Sequence, residues 1–317
     1  MVRVMPSSST ELISVIISTY KGGELLQRAI DSLAGQTDRG FETIVVNDCS
    51  PCETTNAVCR RFEEQGVARV IWRAKNGGLS AGRNAGIKAA KGEIVAMLDE
   101  DDEFPQTAIA DIRAAFEKHP EADFVFGNYI WVDVDAGNRH IIDTSVLCDK
   151  NGWLVPKRLV ENWIMLGHSP CRKKLWRAID GYRQCYSYDF QDGDFWMRAL
   201  DRGFRGMHTP AKIYQWNQAG TGMCSGNEPR MRYFMSRNIR YYEGVGEQKQ
   251  LWGKLVFHYM VNRNDPVVRA EAREVWRYLL PRELSRVAVF MKFSMLIALP
   301  LFLDKLLFGR SKEAGHL

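Results

Sequence analysis

Cysteine is scarce in this chain of 317 residues, and what little there is forms no pattern. Seven cysteines without regular spacing make no disulfide framework; they read as reduced thiols of a cytosolic protein. No apolar stretch opens the sequence. Residues 1–11 are short, polar and serine-rich, and are expected to be a flexible tail rather than a secretory signal. No internal repeat or low-complexity tract is found. No G-x-G-x-x-G follows the first apolar run, which excludes a Rossmann dehydrogenase. A large excess of one charge is missing too. A net charge of +5 suits phosphorylated ligands or an anionic membrane surface, but makes no case for nucleic acid. With 45% hydrophobic and 26% charged residues, the composition is that of an ordinary folded protein. Its length fits one large domain, or one domain with a sizeable appendage.

What is present is alternation. Residues 12–18 form a β-rich apolar run, broken by Tyr20-Lys21-Gly22-Gly23. Leu25, Leu26, Ala29, Ile30 and Leu33 then recur at helical spacing. Strands are expected over 41–46, 68–72, 94–98 and 124–126, and helices over 55–65, 76–90 and 106–118. Strand followed by helix, repeated, predicts an α/β fold: a mostly parallel sheet with helices on both faces. After Asn128 the rhythm loosens, and tryptophan, arginine and loop residues become dense up to about residue 240. A substrate-recognising region is expected there. The remainder reads as helical.

The richest stretch runs from Gly92 to Asp102. A short apolar strand ends in Asp99, Glu100, Asp101 and Asp102. Like charges this close repel unless something cationic sits among them. The carboxyl ends of parallel strands are also where such sheets bind ligands. Hard divalent cations take one or two carboxylates together with substrate phosphates. The expectation is a metal site that receives a diphosphate; the alternative is a solvated acidic turn. Two other strand ends carry polar groups, Ser18-Thr19-Tyr20 and Asn47-Asp48, and on one edge of a parallel sheet the three clusters are expected to line one crevice. There Tyr20 can stack on a base, Asp48 can accept a hydrogen bond from a base imide, and the acidic cluster can hold ribose and metal.

Four segments together resemble the family 2 glycosyltransferases, which have the GT-A fold. They are Ser14 to Tyr20, Glu42 to Ser50, Asn76 to Gly86, and the Leu-Asp-x-Asp-Asp motif at Leu98 to Asp102. The resemblance covers about residues 12–220. It implies hexosyltransferase-type, metal-dependent transfer from a nucleotide-sugar donor, a UDP-sugar, with Mn2+ or Mg2+ on the diphosphate. It places Ser18, Tyr20, Asp48, Arg83 and Asp99 at the nucleotide, and Asp99 and Asp101 at the metal. It also divides the chain into a nucleotide-sugar-binding half at 12–127, an acceptor-binding and catalytic half at 128–245, and a helical region at 246–317.

The second half carries Tyr188 to Trp196, similar to the family's Glu-Asp-x-Asp/Glu-aromatic motif. By that likeness Asp192 is the base of an inverting transfer. An acceptor hydroxyl is a poor nucleophile until a carboxylate takes its proton, and the metal stabilises the departing diphosphate. Gly181-Tyr182 matches a glycine-aromatic turn, and Trp176 is expected to shape the acceptor pocket. Three departures stand out. Asn47 replaces one of two aspartates, Gln191 replaces a glutamate, and Tyr214-Gln215-Trp216-Asn217 stands where relatives show Tyr-Arg-x-His. Arg83 has two readings, diphosphate contact at a helix amino end or a clamp on neighbouring carboxylates.

Outside these motifs, residues 287–308 are mostly apolar but hold Lys292 and Pro300, and basic residues flank them. An interfacial helix on the cytoplasmic face of the membrane leads there, against a buried or a spanning helix. Cys49, Cys52 and Cys59 lack a fourth ligand at zinc spacing. Arg230, Arg232, Arg237 and Arg240 form a solvated helix face or meet the phosphates of a lipid-linked acceptor. A sugar-nucleotide pyrophosphorylase would need a better basic glycine loop than Lys21-Gly22-Gly23. Two functions follow. One is an inverting transferase acting on a glycan or lipid-linked acceptor in cell-surface polysaccharide synthesis. The other is a catalytically degenerate relative that binds nucleotide or scaffolds a complex.

Overall fold

The computed structural model describes residues 11–162, 167, 169–184 and 191–219. All fall in the first of the two units, 1–225 and 226–317, into which the chain divides. Outside the described residues lie the tail at 1–10, Tyr188 to Phe190, the arginine series, the region 246–317 and its segment 287–308.

Four parallel strands form the heart of the sheet: β1 (Ile13–Thr19), β2 (Phe41–Asn47), β3 (Arg69–Trp72) and β4 (Ile94–Asp99), in the order β3-β2-β1-β4. Helices α1 (Glu24–Ala34), α2 (Glu53–Glu64) and α3 (Gly78–Ala89) make the crossovers, and α4 (Ala108–Lys118) follows β4. The sheet continues through β5 (Phe124–Asp133), β6 (Asn138–Ile142), the two-residue β7 (Cys171–Arg172) and β8 (Gly206–Gln218). β7 pairs antiparallel with β4 and β5, β6 pairs antiparallel with β5, and β8 runs parallel to β5. The described part also holds a 3-10 turn at Ser145–Leu147 and three further α-helices, α5 (Pro156–Asn162), α6 (Lys173–Ala178) and α7 (Gln191–Asp201).

The period-2 alternation of the strands divides the core into two layers. Ile13, Val15 and Ile17 of β1 face one layer with Leu26, Ala29 and Ile30 of α1 and Ile109, Ile112 and Phe116 of α4. Ile16 faces the other layer with Ile87 of α3, Leu175 of α6 and Phe195 and Trp196 of α7. Helices therefore cover both faces, as the sequence pattern predicts. Leu25 does not join the buried face of α1; it is 43% exposed, because four apolar positions already fill the stripe.

β5 runs seven residues beyond the expected 126 and crosses the 127/128 boundary between the two expected halves. β8 sustains it, pairing along its whole length. Their register shifts around Gly127–Asn128, where a Cβ on Gly127 would lie 2.8 Å from the Ala211 carbonyl oxygen.

Candidate active site

Register brings the polar strand ends together. Ser18 pairs laterally with Asp99, and Thr19 with Asn47. α3 lies close over this edge because it has glycine where it crosses β1. A Cβ on Gly82 would sit 2.0 Å from Ser18 Oγ, and one on Gly86 would sit 2.3 Å from Ile16 Cγ2. That close approach carries Arg83 to the end of β4.

The four carboxylates after β4 take four different roles. Asp99 Oδ1 accepts a hydrogen bond from Arg83 Nη2 at 2.7 Å. Glu100 turns back to β1 and accepts hydrogen bonds from Thr19 Oγ1 and, at 3.2 Å, from the Tyr20 amide. Asp102 is buried and faces β8, where the Tyr214 hydroxyl donates to its Oδ2 at 2.8 Å and the Asn217 amide to its Oδ1 at 2.7 Å. Asp101 alone of the four is exposed. Burial raises the Glu100 carboxyl above its ordinary value, with Asp101 and Asp99 adding repulsion. Desolvation and then the Asp99 charge raise Asp101. Burial and the two like charges hold Asp102 well above its usual range, against the hydrogen bonds from Asn217 and Tyr214.

Asp48 is almost wholly buried on the amino end of α3. The amides of Gly77 and Gly78 donate to its Oδ2 at 3.0 and 2.7 Å, and Arg73 pairs with its Oδ1. The anion at this helix end is thus a side chain of the protein itself. Asn47 closes the following loop, accepting from the Ser50 amide and donating to Asn56. Tyr20 is 37% exposed just beyond β1.

Arg83 is 2% exposed. Its guanidinium carbon lies 5.4 Å from the Tyr182 ring centre. Burial alone would lower its pKa, but Asp99, then Tyr182 and Asp192, hold it above its ordinary value. Among the described residues, Nε and Nη1 of Arg83 make no hydrogen bond. Buried donors without partners are costly, so this guanidinium has capacity for a further acceptor.

Asp192 enters from the first turn of α7. Gly167 lies against it: a Cβ there would be 1.8 Å from Asp192 Oδ2. Trp196 Nε1 fixes that contact by donating to the Gly167 carbonyl at 2.6 Å. Burial raises the Asp192 carboxyl, Arg83 opposes the rise, and Asp99 adds to it. Its neighbour Asp194 is fully buried and pairs with Arg183 and Arg198, so it is structural. Tyr182 stacks on Phe195 of α7 with ring centres 4.3 Å apart. Asn84 brackets the Tyr182 backbone, donating to its carbonyl and accepting from its amide, and also accepts from Trp176 Nε1 at 2.9 Å.

The family model for glycosyl transferase family 2 matches residues 14–181, more than half of the chain. The chain belongs to that family. As a family 2 member it is 32% identical over 137 residues to the glycosyltransferase GlyG of Streptococcus pneumoniae; the match covers 43% of this chain and 45% of GlyG. The chain thus spans less than half of that relative's length. It is 28% identical over 239 residues to the uncharacterized glycosyltransferase YwdF of Bacillus subtilis, 74% of this chain and 85% of that one. It is 34% identical over 122 residues to the poly(ribitol-phosphate) beta-N-acetylglucosaminyltransferase TarP of Staphylococcus aureus, 37% and 36% of the two chains. The structure of S. aureus TarS 1–349 with UDP-GlcNAc superposes with a TM-score of 0.63 at 19% identity, over 90% of this chain and 81% of that one. That likeness establishes the GT-A fold.

In this family 2 member, the expected residues Ser18, Arg83 and Asp99 meet at one strand edge, and Asp192 lies within the field of Arg83 and Asp99. Among the described residues no group of three His, Cys, Asp or Glu side chains is set to hold a metal. The donor set still fits one divalent ion of the hard type, for which two carboxylates suffice when phosphates fill the remaining positions. Asp101 is open to solvent, and Asp99 and Asp101 repel each other although Arg83 pairs with Asp99 and Arg28 stands near Asp101. Of the three cysteines at 49, 52 and 59, Cys49 is exposed while Cys59 is buried, its Sγ accepting from Asn47 Nδ2 at 3.7 Å. Sequence reasoning singled out the Tyr214–Asn217 stretch for its missing histidine. It passed over the tyrosine, whose hydroxyl reaches both Asp102 and the Asp99 amide. Asn217 Nδ2 donates to the Asp101 carbonyl at 3.1 Å.

Proposed function

We propose that this chain is an inverting hexosyltransferase that moves a sugar from a UDP-sugar to a glycan or lipid-linked acceptor in building a cell-surface polysaccharide. The observation that carries the reading is the buried Arg83, bound to Asp99 and, among the described residues, with two donors unused. A diphosphate delivered to the end of β4 would satisfy those donors. Tyr20 stacks on the base, and Asp48 with Ser18 lines the nucleoside end. Asp99 would hold the ribose or share an ion with Asp101, and a Mn2+ or Mg2+ held there would supply positive charge to the departing diphosphate. Asp192 takes the acceptor proton, and its raised pKa strengthens it as a base. A single displacement at the anomeric carbon inverts the configuration. The UDP-GlcNAc bound by TarS and the polymer named for TarP support the donor and acceptor classes.

Titration calorimetry with UDP, GDP and dTDP, each with Mn2+ and with EDTA, tests the donor half. Metal-dependent binding of UDP supports the reading, and no binding to any of them by folded protein overturns it. Tight UDP binding without turnover of any UDP-sugar favours the degenerate nucleotide-binding relative. No helix among the described residues is long and apolar enough to cross a membrane. Peripheral attachment at the cytoplasmic face belongs to residues 287–308, and flotation on anionic vesicles with and without them tests it; equal behaviour of both forms refutes it.

A further inference from the structure

We propose that Glu100 is a positioning residue of the donor site, tying the base-binding loop to the acidic turn; this rests on the reading of that site given above. Glu100 sits between the two candidate metal ligands in sequence, yet its carboxylate points away to β1. It accepts from Thr19 Oγ1 and from the Tyr20 amide, both on Oε2. Thr19 is buried and Glu100 half-buried. Gly22 makes the approach feasible, because a Cβ there would lie 2.3 Å from Glu100 Oε2. Tyr20-Lys21-Gly22-Gly23, a poor phosphate loop, therefore has a different use for its first glycine.

The loop that carries Tyr20 is held at two points. Glu100 grips its start, and Thr55 Oγ1 accepts from the Gly23 amide at 2.9 Å further on. The Tyr20 ring is exposed, with the Lys21 ammonium 5.4 Å from its centre. Its place relative to the diphosphate is thus set through the backbone, by a side chain on the turn that carries Asp99 and Asp101. Any shift of that turn moves the base platform with it. Glu100 is then a clamp between two halves of one ligand, neither a third ligand to the ion nor a solvated charge.

The test compares Glu100→Ala, Glu100→Gln and Gly22→Ala with the wild type. A glutamine keeps one oxygen that can accept from both Thr19 and Tyr20. Loss of a hydrogen bond to a charged group corresponds to about tenfold or more in affinity. Glu100→Ala is expected to weaken Mn2+-UDP about tenfold, and to leave Mn2+-pyrophosphate within about twofold, since pyrophosphate has no base to place. It should raise KM for the donor far more than it lowers kcat. Glu100→Gln should restore most of the loss, and Gly22→Ala should reproduce it. If Glu100→Gln weakens UDP and pyrophosphate together, the charge acts on the ion and the clamp is refuted. Hydrogen exchange at the Tyr20 amide needs no ligand and separates this proposal from the donor assignment. Faster exchange in Glu100→Ala than in Glu100→Gln supports the clamp even if no nucleotide binds, and equal exchange in all forms overturns it.

Discussion

Tyr214→Phe removes one oxygen from the buried lock beneath the acidic turn. The ring remains, and with it the edge contact to Phe104 at 5.7 Å between centres. What disappears is the donor to Asp102 Oδ2 at 2.8 Å and the acceptor for the Asp99 amide at 3.2 Å. A hydrogen bond from a neutral donor to a buried carboxylate contributes about 1.5–3 kcal/mol. Asp102 keeps the Asn217 amide, so the remaining charge is still partly satisfied, and a loss of about 2 kcal/mol is expected. In a unit of this size that lowers Tm by roughly 4–8 °C. The thermal melt, followed by circular dichroism in EDTA, measures it directly. The donor site should suffer too, because Asp99 and Asp101 lie on the turn that the lock holds. A melt unchanged within about 1 °C would refute the assignment of Tyr214 as the support of that turn.

Asp192→Asn should lower sugar transfer by at least about a hundredfold while UDP affinity stays within about twofold, read by turnover and calorimetry on the same preparation. Asp102 has a raised folded-state pKa, so the stability it lends is full below the ordinary carboxylate range and is lost as pH rises through the raised value. Asp102→Asn does not titrate, and its Tm relative to wild type, in EDTA, should therefore climb from pH 4 to pH 8; a flat or falling difference contradicts the shift. Gly86→Ala places a methyl 2.3 Å from Ile16 Cγ2 and 3.2 Å from Val46 Cγ2. It should cost about 1–3 kcal/mol in urea unfolding, and a neutral result would mean that α3 is free to lift from β1.

The parallel half of the fold was legible because its strands are buried runs and its helices amphipathic, so periodicity and burial agree. β5 was legible only over its first three residues, 124–126, and β8 not at all, since Trp131, Asn128 and the Thr209–Lys212 irregularity break the alternation that signals a strand. The acidic motif was legible as a cluster and not as individuals. A sequence shows four adjacent carboxylates; only the packing of β1 and β8 assigns Glu100 to one neighbour and Asp102 to another. Asp48 likewise reads as a ligand for a base from its position at a strand end, while its partners Arg73, Gly77 and Gly78 lie 25 to 30 residues away.

The lock on the acidic turn also has a consequence in time. Asp102 is joined to Tyr214 and Asn217 across 112 and 115 residues of chain. On a ribosome adding about 5–20 residues per second, roughly 6–23 s pass between the emergence of the turn and that of its partners. During that interval β1 to β4 can already pair, but the carboxylates beyond β4 have no β8 to settle against. The nascent protein therefore carries a sheet before it carries a settled acidic turn, and β8, the last described strand to be synthesised, is the one that completes that turn.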